Sequence, residues 1–124
     1  MKIDTVYLLN NDEFSKAIAN WTEGKSVEYV STDKKGDALA EIIEGVVVFH
    51  ENHNFSKEDE DIQALIESHN KPAHRVDING TLAATASNFT MWLERNKPKS
   101  LLVLGNKEVS KNENLMRFLN KLTD

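Results

Sequence analysis

One short segment, Val46-Val47-Val48-Phe49, restricts the folds open to this chain more than any other part of the sequence. Three successive β-branched valines and a phenylalanine favour an extended strand. Because the run is uninterrupted, both faces of that strand are apolar and both have to be covered. Such runs are typical of central strands in parallel sheets that have helices packed on either side. The segment therefore predicts the interior of a sheet between two layers of helices.

The rest of the chain alternates between short β-rich runs and amphipathic stretches with apolar residues at helical spacing. The predicted strands are Val6–Leu9, Ser26–Val30, Val46–Phe49, Ala73–Ile78 and Ser100–Leu104. Each is followed by a predicted helix, and these helices carry Phe14–Trp21, Ala38–Ile43, Ile62–Ile66, Leu82–Leu93 and Asn112–Leu122. The expected helix caps and ends are Asn11 or Asp12, Gly24, Asp33, Gly45, Ser56 with Asp59, and Thr81.

Five βα units with short connections predict one domain over residues 1–124. The expected fold class is α/β: a three-layer α/β/α sandwich with a mostly parallel five-stranded sheet, Rossmann-like or flavodoxin-like. The strand orders 2-1-3-4-5 and 3-2-1-4-5 are the leading candidates, because they are the common orders of doubly wound sheets.

Composition excludes several classes of function. The chain has no cysteine, so disulfides, thiolate chemistry and cysteine-based zinc sites are ruled out. Its formal net charge is −5, and no Lys/Arg cluster with interleaved aromatic residues occurs, so no nucleic-acid partner is expected. No apolar run approaches the roughly 20 residues that span a bilayer. The N-terminal apolar stretch is too short and interrupted for a signal peptide, so we expect a cytoplasmic protein without a membrane partner.

Motifs that would identify common activities are also missing. The sequence contains neither G-x-G-x-x-G nor a Walker A motif, which disfavours dinucleotide binding of the usual kind and P-loop chemistry. It has no G-x-S-x-G elbow, which disfavours an α/β-hydrolase. The third strand ends in Phe49-His50-Glu51, so the aspartate of a response-regulator receiver domain is absent there.

The loops after the predicted strands are where a binding site is expected, because ligands of open parallel sheets bind beyond the carboxyl ends of the strands. Helix N-termini that follow such loops present free amides to anions, and glycine lets the backbone come close to a ligand. Lys107 would neutralise a negative charge there. The candidate ligand-binding residues are Asn11, Asp12, Gly80, Thr81, Gly105, Asn106, Lys107 and Glu108.

The most reactive-looking segment is His50-Glu51-Asn52-His53, directly after the central strand. His50, Glu51 and His53 are candidate acid–base residues for catalysis. A metal site is disfavoured because the H-x-x-H spacing lies in a loop without helical i, i+4 geometry. A solvated loop is the simpler interpretation. No metal is predicted, and the sequence does not identify a cofactor.

The second half of the chain resembles the molybdenum-carrier family. The similarity covers roughly residues 70–122 and rests on Lys71–Ile78, on a helix with Trp92, and on Leu101–Glu108. The resemblance implies a Rossmann-like fold and places Gly105, Lys107 and Glu108 at the positions of that family's Gly, Arg and Glu. The glycine-rich turns of the family's first half are absent from this sequence.

Three hypotheses about function remain open from the sequence. The first is a protein that binds an anionic small molecule, a nucleotide or a cofactor-like ligand. The second is a non-catalytic interaction or assembly module, which predicts a homo-oligomer or a partner complex. The third is a small enzyme that uses the loop from His50 to His53.

Overall fold

The computed structural model describes residues 3–9, 13–23 and 27–122, and it shows a five-stranded, all-parallel sheet with helices on both faces. The strands are β1 Thr5–Leu9, β2 Glu28–Thr32, β3 Gly45–His50, β4 Ala73–Asp77 and β5 Ser100–Gly105. The helices are α1 Glu13–Thr22, α2 Gly36–Ile42, α3 Lys57–Ser68, α4 Leu82–Asn96, α5 Lys107–Lys111 and α6 Asn114–Lys121. The predicted fold class, a three-layer α/β/α sandwich, is confirmed.

The strand order is β2-β1-β5-β3-β4, so both predicted orders were wrong. The last strand is inserted between β1 and β3, where it pairs Leu102 with both Tyr7 and Val46. The two common orders place β5 at an edge of the sheet. Here α4 carries the chain from the edge strand β4 back across β3, which leaves β5 in the centre.

Two apolar clusters separate the layers of the sandwich. One cluster joins α1, α4, α5 and α6 to one face of the sheet, and the other joins α2 and α3 to the opposite face. Alternate residues of β3 enter different clusters, with Val47 and Phe49 in the first and Val46 and Val48 in the second. All six residues of β3 are buried, so the prediction that this run lies inside the sheet is confirmed.

Several element boundaries differ from the sequence predictions. Helix α2 begins at Gly36 instead of near Asp33, and Gly45 is the first residue of β3 instead of the end of a helix. The segment after β5 was expected to be a loop, but it forms α5, because Asn106 accepts a hydrogen bond from the Val109 amide at 3.0 Å and caps it. The predicted caps Asn11, Asp12 and Gly24, and the start of the second strand at Ser26, lie outside the described residues.

The helix starts that position the polar loops differ in how they are capped. Ser56 accepts from the Asp59 amide at 3.1 Å, so the predicted cap of α3 is confirmed. Thr81 is the N-cap residue of α4, but its side chain makes no capping hydrogen bond. Among the described residues, no helix is both long and apolar enough to cross a bilayer.

Candidate functional site

The strand order creates a divergence point at the carboxyl end of β5. From β1 the chain passes to α1 on one face of the sheet, and from β3 it passes to α3 on the other face. The connections on either side of β5 therefore leave in opposite directions. In open α/β sheets such a switch point leaves a crevice above the strand ends, and this is the usual place for a ligand. Here the crevice lies over Gly105.

A cleft of about 220 Å³ occupies this position, and we call it the central cleft. It lies between the start of α1, the start of α3 and the loop after β5. Its lining consists of Leu9, Phe14, Ser15, Ser56, Glu58, Asp59 and Val103–Lys107. Of the predicted ligand-binding residues, the structure thus places Gly105, Asn106 and Lys107 together at one cleft.

A second cleft of about 380 Å³ adjoins the first towards β2, and we call it the lateral cleft. The two share Leu9 and Glu58. The lateral cleft combines an apolar wall from β1, α2 and α3 with the polar loop after β2. Its lining consists of Leu9, Thr32–Gly36, Leu39, Glu58, Ile62 and Leu65. Together the clefts offer a polar compartment beside a more apolar one.

The charges around the central cleft are mixed. Lys107 contributes an exposed ammonium group, whereas Glu58 and Asp59 contribute carboxylates from the first turn of α3. Carboxylates are stabilised there by the helix dipole, and they already compensate the positive end of α3. The N-terminus of α3 therefore does not add to an anion site, and Lys107 is the cationic group among the described residues that line the central cleft.

Gly105 has a packing reason to be glycine. A Cβ atom at this position would lie within 2.6 Å of three ring carbons of Phe14. Phe14 is itself buried and its ring lies 5.8 Å from that of Phe49, centroid to centroid. The absence of a side chain at Gly105 thus lets the α1 aromatic ring sit directly against the end of β5.

Asn106 is held on both sides of its amide group. Its Oδ1 caps α5, and its Nδ2 donates to the carbonyl of Asn54 at 3.2 Å. Glu108 lies in the first turn of α5, is exposed, and does not line either cleft.

The predicted catalytic segment forms a tight turn, which we call the 51–54 turn. The Asn54 amide donates to the Glu51 carbonyl at 2.9 Å, and Asn52 and His53 have φ values of 51° and 66°. Two successive positive φ values are the signature of a type I′ turn, in which glycine or asparagine is preferred. His53 is neither glycine nor asparagine, so its positive φ places backbone strain in the turn, beside the strand ends.

His50 supports the turn from below. Only 2% of the residue is exposed, and its Nδ1 accepts from the His53 amide at 3.0 Å. The imidazole also packs against the rings of His53 and Phe55, at 5.1 and 4.5 Å between centroids. Burial lowers the pKa of His50 below its usual value, and the nearby Asp77 carboxylate opposes part of that shift. The neutral form with a free Nδ1 acceptor is therefore the form that the fold favours.

Polar contacts tie the 51–54 turn to the loops after β4 and α5. Asp77 accepts from the amides of Asn52 and Asn79, at 3.2 and 2.9 Å. The side-chain Nδ2 of Asn112, between α5 and α6, donates to the Glu51 carboxylate at 2.7 Å and to the side-chain Oδ1 of Asn79 at 2.9 Å. These contacts join three loops at the carboxyl edge of the sheet. The predicted catalytic residues His50, Glu51 and His53 line neither the central nor the lateral cleft.

Gly80 and Thr81 lie at the opposite side of the carboxyl edge, after the edge strand β4. Strand β3 lies between β4 and β5 in the sheet. Gly80 and Thr81 therefore do not line the central cleft with Lys107. Asn11 and Asp12 lie outside the described residues. Within the described residues, no group of three His, Asp or Glu side chains is arranged to hold a metal ion.

Sequence reasoning missed two sets of residues at this edge. Ser56 and Glu58 line the central cleft, although the sequence indicated only a helix start there. Asn112 links Glu51 to Asn79, although it was expected only to begin the last helix. A usable signal for the first set was the position of Ser56 a few residues after the central strand, where α3 must start at the carboxyl edge.

Fold and cleft define this chain as a three-layer α/β protein with an all-parallel sheet and a cleft at its switch point. Comparison with models of protein families, with curated proteins and with solved structures gives no match. The resemblance to the molybdenum-carrier family therefore stays a prediction.

Proposed function

We propose that the chain binds a small anionic molecule, nucleotide-like or cofactor-like, in the central cleft. The observation that carries this proposal is the cleft itself, which opens over Gly105 where the connections beside β5 diverge. Crevices at this place in parallel sheets bind ligands through loop backbone and a few polar side chains. The central cleft supplies such groups from α3 and from the loop after β5.

The mixed charge of the cleft narrows the chemistry of the ligand. Lys107 pairs with a phosphate or carboxylate group, and the Glu58 carboxylate accepts hydrogen bonds from hydroxyl or amino groups. A polyphosphate with no neutral polar part is disfavoured, because the exposed Glu58 carboxylate would repel it. A singly phosphorylated molecule with free hydroxyl groups fits this arrangement better.

The lateral cleft supports a ligand with a less polar part. Ligand pockets usually measure about 300–1,000 Å³, so the central cleft alone would hold only a small fragment. Glu58 and Leu9 border both clefts, and Leu39, Ile62 and Leu65 provide an apolar wall beyond them. A ring system in the lateral cleft with its anionic group near Lys107 would use both compartments.

The resemblance to the molybdenum-carrier family points to the same segment. It places Gly105 and Lys107 at the positions of that family's Gly and Arg, and both residues line the central cleft. This agreement supports a ligand contact at the segment after β5.

Thermal unfolding against a panel of nucleoside monophosphates, sugar phosphates and inorganic phosphate tests the proposal. A ligand that binds only the folded chain stabilises it by about 2.7 kcal/mol at a concentration 100-fold above its Kd. We expect a nucleoside monophosphate or sugar phosphate to raise Tm more than inorganic phosphate does. Lys107→Ala should remove most of the effect.

Lys111→Ala is the matched control, because Lys111 is exposed on the same short helix and lines neither cleft. It should leave the ligand-induced rise in Tm unchanged. The proposal is wrong if no compound in the panel raises Tm, or if Lys107→Ala and Lys111→Ala alter the response equally.

A further inference from the structure

Strand β2 is an open edge of the sheet. Among the described residues it pairs only with β1, which leaves one side of its backbone without a strand partner. Four of its five residues are exposed, and they include Tyr29 at 48% and Val30 at 41%. Exposed edges of this kind template pairing with another chain, and proteins usually protect them with proline, lysine or short, bulged strands. None of these protections occurs within β2, whose only charge is Glu28.

The opposite edge of the sheet shows what protection looks like in this protein. Strand β4 is preceded directly by Pro72 and carries the charged residues Arg75 and Asp77. Helices α3 and α4 pack over it, and only Arg75 of its five residues is exposed. The two edge strands therefore differ, and β2 is the one whose exposed backbone is available to pair with a strand of another chain.

We propose that β2 is a dimer interface, at which two copies of this chain pair their β2 strands antiparallel around a two-fold axis at Val30. The two sheets then join into one continuous sheet. With Val30 opposite Val30, each Glu28 lies opposite Thr32 of the second copy, and each Tyr29 lies opposite Ser31. No like charges face each other, and the central pair is β-branched and apolar, which favours cross-strand packing.

Charge complementarity favours a second copy over an unrelated strand. Glu28 begins β2 and Lys34 follows its end, where the Lys34 backbone amide donates to the Thr32 hydroxyl at 3.1 Å. Antiparallel pairing around Val30 brings the start of each β2 beside the end of the other. It therefore places Glu28 of one copy and Lys34 of the second near each other, and the symmetry produces this opposite-charge pair twice.

The faces of the sheet agree with this arrangement. Val30 pairs with Tyr7 of β1, whose side chain packs with the α2–α3 cluster, so Val30 lies on that face. Tyr29 pairs with Val6, which belongs to the α1 cluster, so Tyr29 lies on the other face. Pairing through β2 therefore covers one exposed apolar side chain on each face.

Sedimentation of the purified chain over a wide concentration range tests the proposal. We expect a species of twice the 14.0 kDa chain mass that dissociates on dilution. Val30→Lys should shift this chain to the monomer, because it places two ammonium groups opposite each other at the axis. Met91→Lys is the matched control, since Met91 is an apolar residue on α4 that is at least as exposed as Val30, and this variant should stay dimeric.

Two further sets of variants test the register. Glu28→Lys and Lys34→Glu should each weaken the dimer roughly threefold to tenfold, and the double variant should recover wild-type association. The chain has no cysteine, so Val30→Cys should form a disulfide-linked dimer under oxidation much faster than Tyr29→Cys. Opposite residues have Cβ atoms close enough for a disulfide, whereas diagonal ones are too far apart.

The proposal is overturned if the wild-type chain stays monomeric at every concentration. It is overturned in the same way if the chain is monomeric and binds a different protein instead. It is also overturned by a dimer that survives Val30→Lys in a variant with an unchanged circular dichroism spectrum. A dimer that the double charge exchange fails to restore would refute the register. These readouts need no ligand, so they are independent of the fate of the central cleft.

Discussion

Gly105 meets the Phe14 ring at the end of the central strand β5, and the contact leaves no room for a side chain. An alanine Cβ would lie within 2.6 Å of three ring carbons, which is closer than real Cβ atoms approach any heavy atom. The ring has little freedom to retreat, because Phe14 is only 2% exposed and packs against Phe49. We therefore expect Gly105→Ala to force either the ring or the strand out of place.

The cost follows from two opposing effects. Overfilling a packed core costs about 1–3 kcal/mol. Alanine also restricts the unfolded chain, which returns about 0.5–1 kcal/mol. Three contacts at 2.6 Å or less place the first effect in the upper part of its range, at about 2–3 kcal/mol. The net loss in the free energy of unfolding, measured by urea denaturation, should therefore be about 1–2.5 kcal/mol. For a chain of this size each kcal/mol corresponds to roughly 3–5 °C in Tm.

Two comparisons isolate the steric cause. At Gly80 the nearest atoms to an added Cβ are 3.5 Å away, an ordinary contact, so Gly80→Ala should be neutral or slightly stabilising. Phe14→Leu removes the outer ring carbons, so Gly105→Ala should cost much less in that background than in the wild type. The difference between the two backgrounds measures the coupling of the two residues.

An unchanged urea midpoint in Gly105→Ala would contradict the steric reasoning, and so would an equal loss in both backgrounds. Either result would leave Gly105 free of a packing requirement. The glycine would then be explained by close approach of the strand backbone to a ligand in the central cleft.

Three other substitutions or conditions have defined outcomes. Burial lowers the pKa of His50 and of His74, so below pH ~6.5 the unfolded chain binds protons that the folded chain does not. The free energy of unfolding should therefore have its full value above pH ~6.5 and fall as the pH drops below it. The slope should be up to about 1.4 kcal/mol per pH unit for each proton. Equal urea midpoints at about pH 8 and about pH 5 would contradict this. Lys97→Gly should stabilise by about 0.5–1 kcal/mol, because Lys97 ends α4 with a φ of 47°, a conformation in which glycine is preferred; a lower Tm would refute it. Asn112→Ala should lower the free energy of unfolding by about 1–2 kcal/mol, because it removes the side-chain hydrogen bonds to Glu51, Asn79 and the Asn114 amide. An unchanged urea midpoint would show that water replaces these bonds.

The fold class was predictable because it depends on local patterns, whereas the strand order depends on contacts between distant segments. The valine run of β3 required burial on both faces, and the structure buries it on both. The same reasoning applied to Leu101-Leu102-Val103-Leu104 would have excluded the two common orders, because each places this equally apolar run at an edge. The polar residues of β2 and β4 carried the complementary signal that these strands are the edges.

The candidate site was predictable only in part. The loop after β5 was identified because ligand sites lie at strand ends, and Asn106 and Lys107 do line the central cleft. The contribution of Glu58 was not predictable, because it depends on β3 and β5 being neighbours. The candidate site residues Gly80 and Thr81 follow β4, and the strand order places them at the far edge from β1.

Insertion of β5 also determines how the two halves of the sheet depend on each other. Strands β1 and β2 pair with each other and are connected by α1, and β3 and β4 pair with each other and are connected by α3. The two pairs of strands are joined by hydrogen bonds only through β5, which lies between β1 and β3. The direction of each crossover agrees with the face of its helix: α1 and α4 lead one way on one face, and α2 and α3 lead the other way on the opposite face. All four crossovers therefore share one hand, as the right-handed rule for parallel sheets requires. The central cleft lies at the one strand end that both halves border, so its shape depends on the last strand of the chain being in place.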